Sequence, residues 1–207
     1  MSHNKEIEKR IFQIQYRVAD ESTEPGESKA ESRTVEGYAA LFNVTADIGG
    51  WFEERIEPGA FKEALKRSDI RALFNHDPNF ILGRSTAGTL EVKEDEKGLH
   101  YRFEAPDTTF GNDFLKMLRR GDISQSSFAF TVAKQRWEEK KMEGDEWNYT
   151  RVIEEVDEIY DVSPVTYPAY SETTVSARSK AGEHQKNIFN RNKADELERD
   201  LQLLKML

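Results

Sequence analysis

Two adjacent serines in the middle of the chain are candidates for nucleophilic chemistry. Residues 121–132 read Gly-Asp-Ile-Ser-Gln-Ser-Ser-Phe-Ala-Phe-Thr-Val, an alternation that predicts a strand with Phe128 and Phe130 on one face. Ser127 then shares the opposite face with Ala129 and other small residues. A serine on the small-residue face of a rigid strand can meet a substrate without steric blockade. The same pattern also fits ordinary polar strand residues, so it needs support from elsewhere in the chain.

A serine nucleophile needs a base, and histidine is the side chain that takes and returns a proton near neutral pH with little tuning. The chain has four histidines. His3 and His184 fall in segments that we expect to be mobile, and His100 is expected on the surface of a strand. His76, at the end of a predicted strand and next to a turn, remains as the candidate base. A structural role, with the ring capping a turn carbonyl, fits this position as well.

Other catalytic chemistries find little support in the sequence. The chain has no cysteine and no His-Glu-x-x-His pattern, which argues against a zinc site. Gly83 and Gly88 have the spacing of a phosphate-binding loop, but Thr89 and Leu90 follow where Lys and Ser or Thr are required. We therefore expect neither a cofactor nor a metal.

The composition also argues against two classes of partner. The formal net charge of −9 disfavours binding along nucleic acid, whose phosphates attract a basic surface. No apolar run approaches the roughly 20 residues that span a membrane, and the first residues lack the apolar stretch of a signal peptide. The absence of cysteine suits a reducing cytosol. We expect no nucleic-acid binding and no membrane association.

The candidate residues must be positioned by strands, which dominate the predicted elements. Apolar alternation or continuous apolar runs predict strands at 11–18, 33–42, 70–76, 89–92, 99–103, 147–156 and 159–165. A short helix is expected to open at Glu57-Pro58. An amphipathic helix is expected over 110–118, with Thr109 to cap it and Gly121 to stop it. These elements predict an α+β domain on a mostly antiparallel sheet, closed or nearly closed into a β-barrel.

The two ends of the chain differ from this domain. Residues 1–178 are assigned to the domain, with a mobile loop near 19–32 that is rich in Glu, Ser, Pro and Gly. Residues 179–207 are predicted to form a linker and a C-terminal helix. The helix is predicted from a short a/d seam of apolar residues. The seam consists of Ala194, Leu197, Leu201 and Leu204.

Four short blocks carry a resemblance to a known family. The blocks are Phe-Asn-His-Asp at 74–77, Gly-Arg-Ser at 83–85, Gly-Asp-Ile at 121–123 running into Ser-Ser-Phe-Ala-Phe at 126–130, and Asp-Val-Ser-Pro-Val-Thr-Tyr-Pro-Ala at 161–169. In order and spacing they resemble the prohead proteases of tailed bacteriophages. The resemblance covers roughly residues 35–178.

The resemblance implies a serine endopeptidase that cleaves capsid or scaffold proteins, and also itself, during procapsid maturation. It implies a fold similar to herpesvirus assemblin. The motif histidine of the family, its general base, corresponds to His76, and its nucleophile corresponds to Ser127. The acidic position before Val-Ser corresponds to Asp161, with Glu158 and Asp157 as alternatives for the third member.

The resemblance also implies where the protein works and with which partners. The expected partners are the major capsid protein precursor and the scaffold, inside the assembling procapsid in the host cytoplasm. A homodimer is an option because assemblin-like proteases often dimerise.

Strand phase independently favours Ser127 over Ser126, which shares a face with the phenylalanines. The alternative function is a non-catalytic procapsid scaffold or binding component on the same barrel, in which Ser127 and His76 would not approach each other. A serine hydrolase acting on esters is a further alternative, and it would react with fluorophosphonates without cleaving a capsid partner.

Overall fold

Strands make up most of the part of the chain that is described by a computed structural model. The described residues are 6–13, 17–18, 32–141, 147–166, 180–184, 186 and 188. In chain order their elements are β1 (Glu8–Gln13), β2 (Arg17–Val18), β3 (Thr34–Leu41), β4 (Ala46–Ile48), β5 (Phe52–Ile56), α1 (Lys62–Arg67), β6 (Arg71–Phe74), β7 (Asp77–Arg84), β8 (Leu90–Glu94), β9 (Gly98–Glu104), α2 (Thr109–Arg120), β10 (Gln125–Lys141) and β11 (Trp147–Val165). These strands form a seven-stranded sheet and a four-stranded sheet.

The long strand β11 organises the larger sheet. One edge pairs antiparallel with β10 along nearly its whole length. The other edge pairs in parallel with β5 in its first half and with β6 further on. The strand order is β1-β10-β11-β5-β4, with the β6–β7 hairpin attached to β11. The two strand segments predicted over 147–165 are therefore one continuous strand that carries the rest of the sheet.

The mostly antiparallel α+β architecture is confirmed, but the predicted barrel is wrong for the described strands. The smaller sheet has the order β2-β3-β9-β8 and remains separate from the larger one. The larger core cluster draws on both sheets and on α1 and α2, with Phe130 from β10, Phe103 from β9 and Phe114 from α2. Alternation along a strand reveals which face is buried but not which edges pair, so two packed sheets and one closed sheet give the same sequence pattern.

Helix α2 has the ends that its sequence predicts, displaced by one residue at the start. Thr108, rather than Thr109, is the N-cap, and its side chain accepts a hydrogen bond from the backbone N–H of Gly111. Gly121 ends the helix with a φ of 82°, a left-handed conformation that glycine adopts without a steric penalty. No helix in the described ranges is long and apolar enough to cross a membrane.

Two helical glycines should respond to alanine in opposite directions. A Cβ at Gly111 would lie 2.0 Å from the carbonyl oxygen of Pro106, whereas a Cβ at Gly182 would meet nothing within 4 Å. We expect Gly111→Ala to lower the free energy of unfolding by about 1–3 kcal/mol through overpacking. Gly182→Ala should raise it by up to about 1 kcal/mol through helix propensity. Urea denaturation measures both, and equal effects of the same sign would contradict the assigned packing.

The predicted ends of the chain are only partly described. The loop near 19–32 lies outside the described residues except for Ser32, and the predicted helix over 194–204 lies wholly outside them. Residues 180–184, which we expected to be linker, are helical. His184, predicted to be mobile, stacks on Trp137 with ring centroids 4.3 Å apart. Lys180 places its Nζ 2.7 Å from Glu8 Oε1.

A buried charge cluster joins β1, β5 and β11, and no pattern in the sequence indicates it. Arg151 Nη1 lies 2.6 Å from Glu8 Oε2 and 2.9 Å from Glu54 Oε2. Arg10 donates from Nε to Glu54 Oε1 at 2.5 Å and from Nη2 to Glu8 Oε2 at 2.6 Å. The side chains of these four residues are between 2% and 8% exposed. Each carboxylate thus meets two guanidinium groups, which offsets the cost of burying the charges.

Glu8 should make the stability of the protein depend on pH. Burial raises its pKa, but the hydrogen bond from Arg151 and the charges of Arg10, Arg151 and Lys180 outweigh burial and hold the pKa well below its usual value. A group with a depressed folded-state pKa stabilises the fold above its unfolded pKa of about 4.3, and this contribution is lost as the pH falls toward the folded pKa. We expect the free energy of unfolding to fall more steeply below about pH 5 in the unmodified protein than in Glu8→Gln. If the free energy of unfolding had the same pH dependence in both proteins, this expectation would be wrong.

Candidate active site

His76 lies in a two-residue turn between β6 and β7. Phe74 pairs with Asp77 across the turn, and Asn75 and His76 have positive φ angles of 55° and 58°. The prediction of a strand over 70–76, through His76, is therefore wrong at its end, since β6 stops at Phe74 and β7 begins at Asp77. Two consecutive positive φ angles are typical of the tight turn that matches the twist of a hairpin. A positive φ is uncommon for residues other than glycine, although asparagine and histidine are among those that adopt it most often.

The turn is fastened to the end of β11, which explains how it keeps this conformation. The backbone N–H of Asn75 donates to the carbonyl of Pro164 at 3.0 Å. The side-chain oxygen of Asn75 accepts from the backbone N–H of Thr166 at 2.9 Å. Backbone strain of this kind persists where the surroundings over-determine it, and it is frequent at functional sites. The consequence is an imidazole held at the end of the central strand pair.

Ser127 and Asp161 lie on the two central strands, at diagonal positions of the ladder. Ser127 in β10 pairs with Ser163 in β11, and Ala129 pairs with Asp161. Residues directly opposite share a face, so these four side chains occupy the corners of one square on the sheet surface. Diagonal neighbours are about 7–8 Å apart, a gap that an imidazole can bridge. The small Ala129 leaves room for the ring.

The imidazole of His76 bridges this diagonal with two short hydrogen bonds. Nδ1 lies 2.6 Å from Asp161 Oδ1, and Nε2 lies 2.7 Å from Ser127 Oγ. A carboxylate only accepts, so Nδ1 carries the proton in this pairing and the Nε2 lone pair accepts from the serine hydroxyl. The structure thus brings together all three residues singled out in the sequence. The arrangement can remove a proton from a hydroxyl and stabilise the resulting imidazolium.

The neighbouring serine points the other way, as the strand phase predicts. Ser126 Oγ lies 3.0 Å from the hydroxyl of Tyr101, in the core between the sheets. Both serines are fully buried. Of the two alternatives for the acid, Asp157 forms an ion pair with Arg67 at 2.8 Å, and Glu158 pairs in register with Thr131. Neither occupies the position beside His76 Nδ1.

Ser163 is a further member of the site to which sequence reasoning assigned no role. Its Oγ lies 2.5 Å from Asp161 Oδ1, and the residue is fully buried. The available signal was its spacing, because residues 161 and 163 must share a strand face. Among the described residues, no group of three or more His, Cys, Asp or Glu side chains could hold a metal ion.

Comparisons with known proteins can be set beside this geometry. The family model described as caudovirus prohead serine protease matches residues 18–188, which is most of the 207-residue chain. The solved structure of the bacteriophage T4 capsid assembly protease, gp21, is similar with a TM-score of 0.51 and 11% sequence identity, over 80% of this chain and 100% of that chain. At this identity the likeness is one of fold. No curated protein gives a significant match.

Proposed function

The chain belongs to the family of caudovirus prohead serine proteases, and on that premise we propose that it is an endopeptidase of procapsid maturation. Its substrates are the major capsid protein precursor and the scaffold, and it also cleaves itself. Ser127 is the nucleophile, His76 is the general base, and Asp161 is the carboxylate that orients His76. The observation that carries the proposal is the unbroken hydrogen-bonded path from Ser127 Oγ through the imidazole to Asp161.

The reaction proceeds by acyl transfer. His76 Nε2 takes the hydroxyl proton as Ser127 Oγ attacks the carbonyl carbon of the scissile peptide bond. The same nitrogen then gives the proton to the leaving amine, and an acyl-enzyme remains on Ser127. Water, deprotonated by His76, releases the acyl group. Asp161 holds the imidazole in the tautomer that leaves Nε2 free to accept, and its charge stabilises the imidazolium.

The burial of the site bears on both electrostatics and access. The side chains of His76 and Asp161 are 8% and 9% exposed, and Ser127 is fully buried. Hydrogen bonds to a charged carboxylate are stronger in such surroundings than in water. A peptide carbonyl reaches Ser127 only when the groups that cover it open, so substrate binding includes a conformational step.

The proposed setting is the assembling procapsid in the host cytoplasm. The protein of similar fold from bacteriophage T4 is named a capsid assembly protease, which supports association with procapsid components. A homodimer belongs to the proposal as a state that size-exclusion chromatography would detect. Residues 1–178 would form the protease domain, followed by a tail over 179–207.

Co-expression with the capsid protein precursor tests the proposed function. We expect a shortened capsid protein that appears only when the protease is present, with mass spectrometry locating the cut. A capsid protein of unchanged length, combined with reaction of Ser127 with a fluorophosphonate, would point instead to a serine hydrolase of another kind. The non-catalytic alternative predicts that Ser127 and His76 stay apart, and their 2.7 Å contact runs against it.

A further inference from the structure

Ser163 is the fourth polar residue of the site and makes its third hydrogen bond. It lies directly opposite Ser127 in the β10–β11 ladder. Its hydroxyl lies 2.5 Å from Asp161 Oδ1, the same oxygen that His76 Nδ1 contacts at 2.6 Å. One carboxylate oxygen therefore joins two donors, one from the neighbouring turn and one from its own strand.

The direction of this hydrogen bond follows from the chemistry of its two partners. A carboxylate is acceptor-only, so the hydroxyl of Ser163 must donate its single proton to Asp161. With that proton committed, Ser163 cannot donate to Ser127 Oγ, although the two residues face each other across the ladder. The contact that the structure gives the Ser127 hydroxyl is with His76 Nε2, 2.7 Å away.

An aspartate in this position needs an additional donor to fix its orientation. The terminal torsion of aspartate is broad, so the rotamer of Asp161 does not by itself decide where its oxygens point. Two charged residues lie beside the site on the flanking strands. Lys9 of β1 pairs with Ala129, and Arg71 of β6 pairs with Asp161. Arg71 bonds both the backbone carbonyl and the carboxylate of Asp69. Ser163 is the neutral donor that reaches Asp161 Oδ1 itself.

We propose that Ser163 is a positioning residue, which holds the Asp161 carboxylate so that Oδ1 faces His76 Nδ1. This inference rests on the proposed function, because it assigns Ser163 a task only if Ser127 and His76 perform the reaction. Loss of the hydroxyl leaves Asp161 free to rotate, so that a smaller share of molecules has the imidazole aligned with Ser127. The reaction then slows.

The test measures the rate at which a small fluorophosphonate labels Ser127 in the full chain, which requires no knowledge of the cleavage site. We expect Ser163→Ala to lower the maximal labelling rate about tenfold, equivalent to about 1.4 kcal/mol. The half-saturating concentration of the probe should stay the same. Ser163→Thr, which keeps the hydroxyl, should restore most of the rate. Ser126→Ala removes an equally buried hydroxyl from the other face and serves as the matched control.

The outcomes separate this inference from the proposed function. If the unmodified chain is not labelled, or if labelling persists in Ser127→Ala, the proposed nucleophile is wrong. If labelling requires Ser127 and His76 but runs at the full rate in Ser163→Ala, only the role of Ser163 is overturned. That role is also overturned if Ser163→Thr is as slow as Ser163→Ala. Thermal unfolding of each variant shows that a lower rate reflects alignment and not a loss of folded protein.

Discussion

Ser127→Ala should abolish cleavage of a co-expressed capsid protein, with a fall in rate of about 10⁶-fold. The reason is geometric: Ser127 Oγ is the hydroxyl that contacts His76 Nε2, at 2.7 Å. Alanine removes the proposed nucleophile and leaves the proposed base without a proton to accept. Cleavage is followed by the shortening of the capsid protein on gels and by mass spectrometry of the products.

Ser126→Ala is the control that isolates the role of position from that of burial. Ser126 is as fully buried as Ser127, but its hydroxyl contacts Tyr101 in the core at 3.0 Å. Its loss should cost about 1 kcal/mol of stability and leave cleavage intact. The nucleophile assignment fails if Ser127→Ala still shortens the capsid protein, or if the effects of the two variants are reversed.

The candidate site was largely predictable because its two strand residues obey a period of two. The alternation around Phe128 decides which of two adjacent serines faces away from the core, and the structure orients Ser126 and Ser127 accordingly. His76 was found by elimination and by resemblance, since its tight turn depends on contacts with Pro164 and Thr166 that are distant in sequence. A spacing along one strand carries no information on such long-range contacts.

The limits of the fold prediction have the same physical origin. The alternation of β10 and of β9 reveals their buried faces, but strand pairing is set by edges, which side-chain patterns do not specify. The separation into two sheets was therefore missed. The charged residues of β1 and β5 carry no sequence signal of burial, because acids and bases are usually exposed. Glu8 and Glu54 are nevertheless buried, since the guanidinium group of Arg151 from β11 meets both of them.

Arg151→Met should strongly lower the free energy of unfolding. The Arg151 side chain is 2% exposed and bonds Glu8 and Glu54, and its Nε donates to Gln135 Oε1 at 2.6 Å. Methionine would leave two buried carboxylates with one guanidinium, that of Arg10, between them. Breaking a buried ion network in this way costs about 3–5 kcal/mol, a large share of a total stability that is typically about 5–15 kcal/mol.

Arg55→Met provides the matched comparison, because Arg55 is the residue next to Glu54 in β5. Its ion pair with Glu138, at 2.7 Å, joins side chains that are 30% and 42% exposed. An exposed pair contributes about 0–1 kcal/mol, so Arg55→Met should change the free energy of unfolding by no more than this. Urea denaturation at low and high salt measures both variants, and only the small effect of Arg55→Met should shrink with salt. If both variants lost the same free energy of unfolding, burial would not make the ion pairs of the cluster more important for stability than an exposed pair.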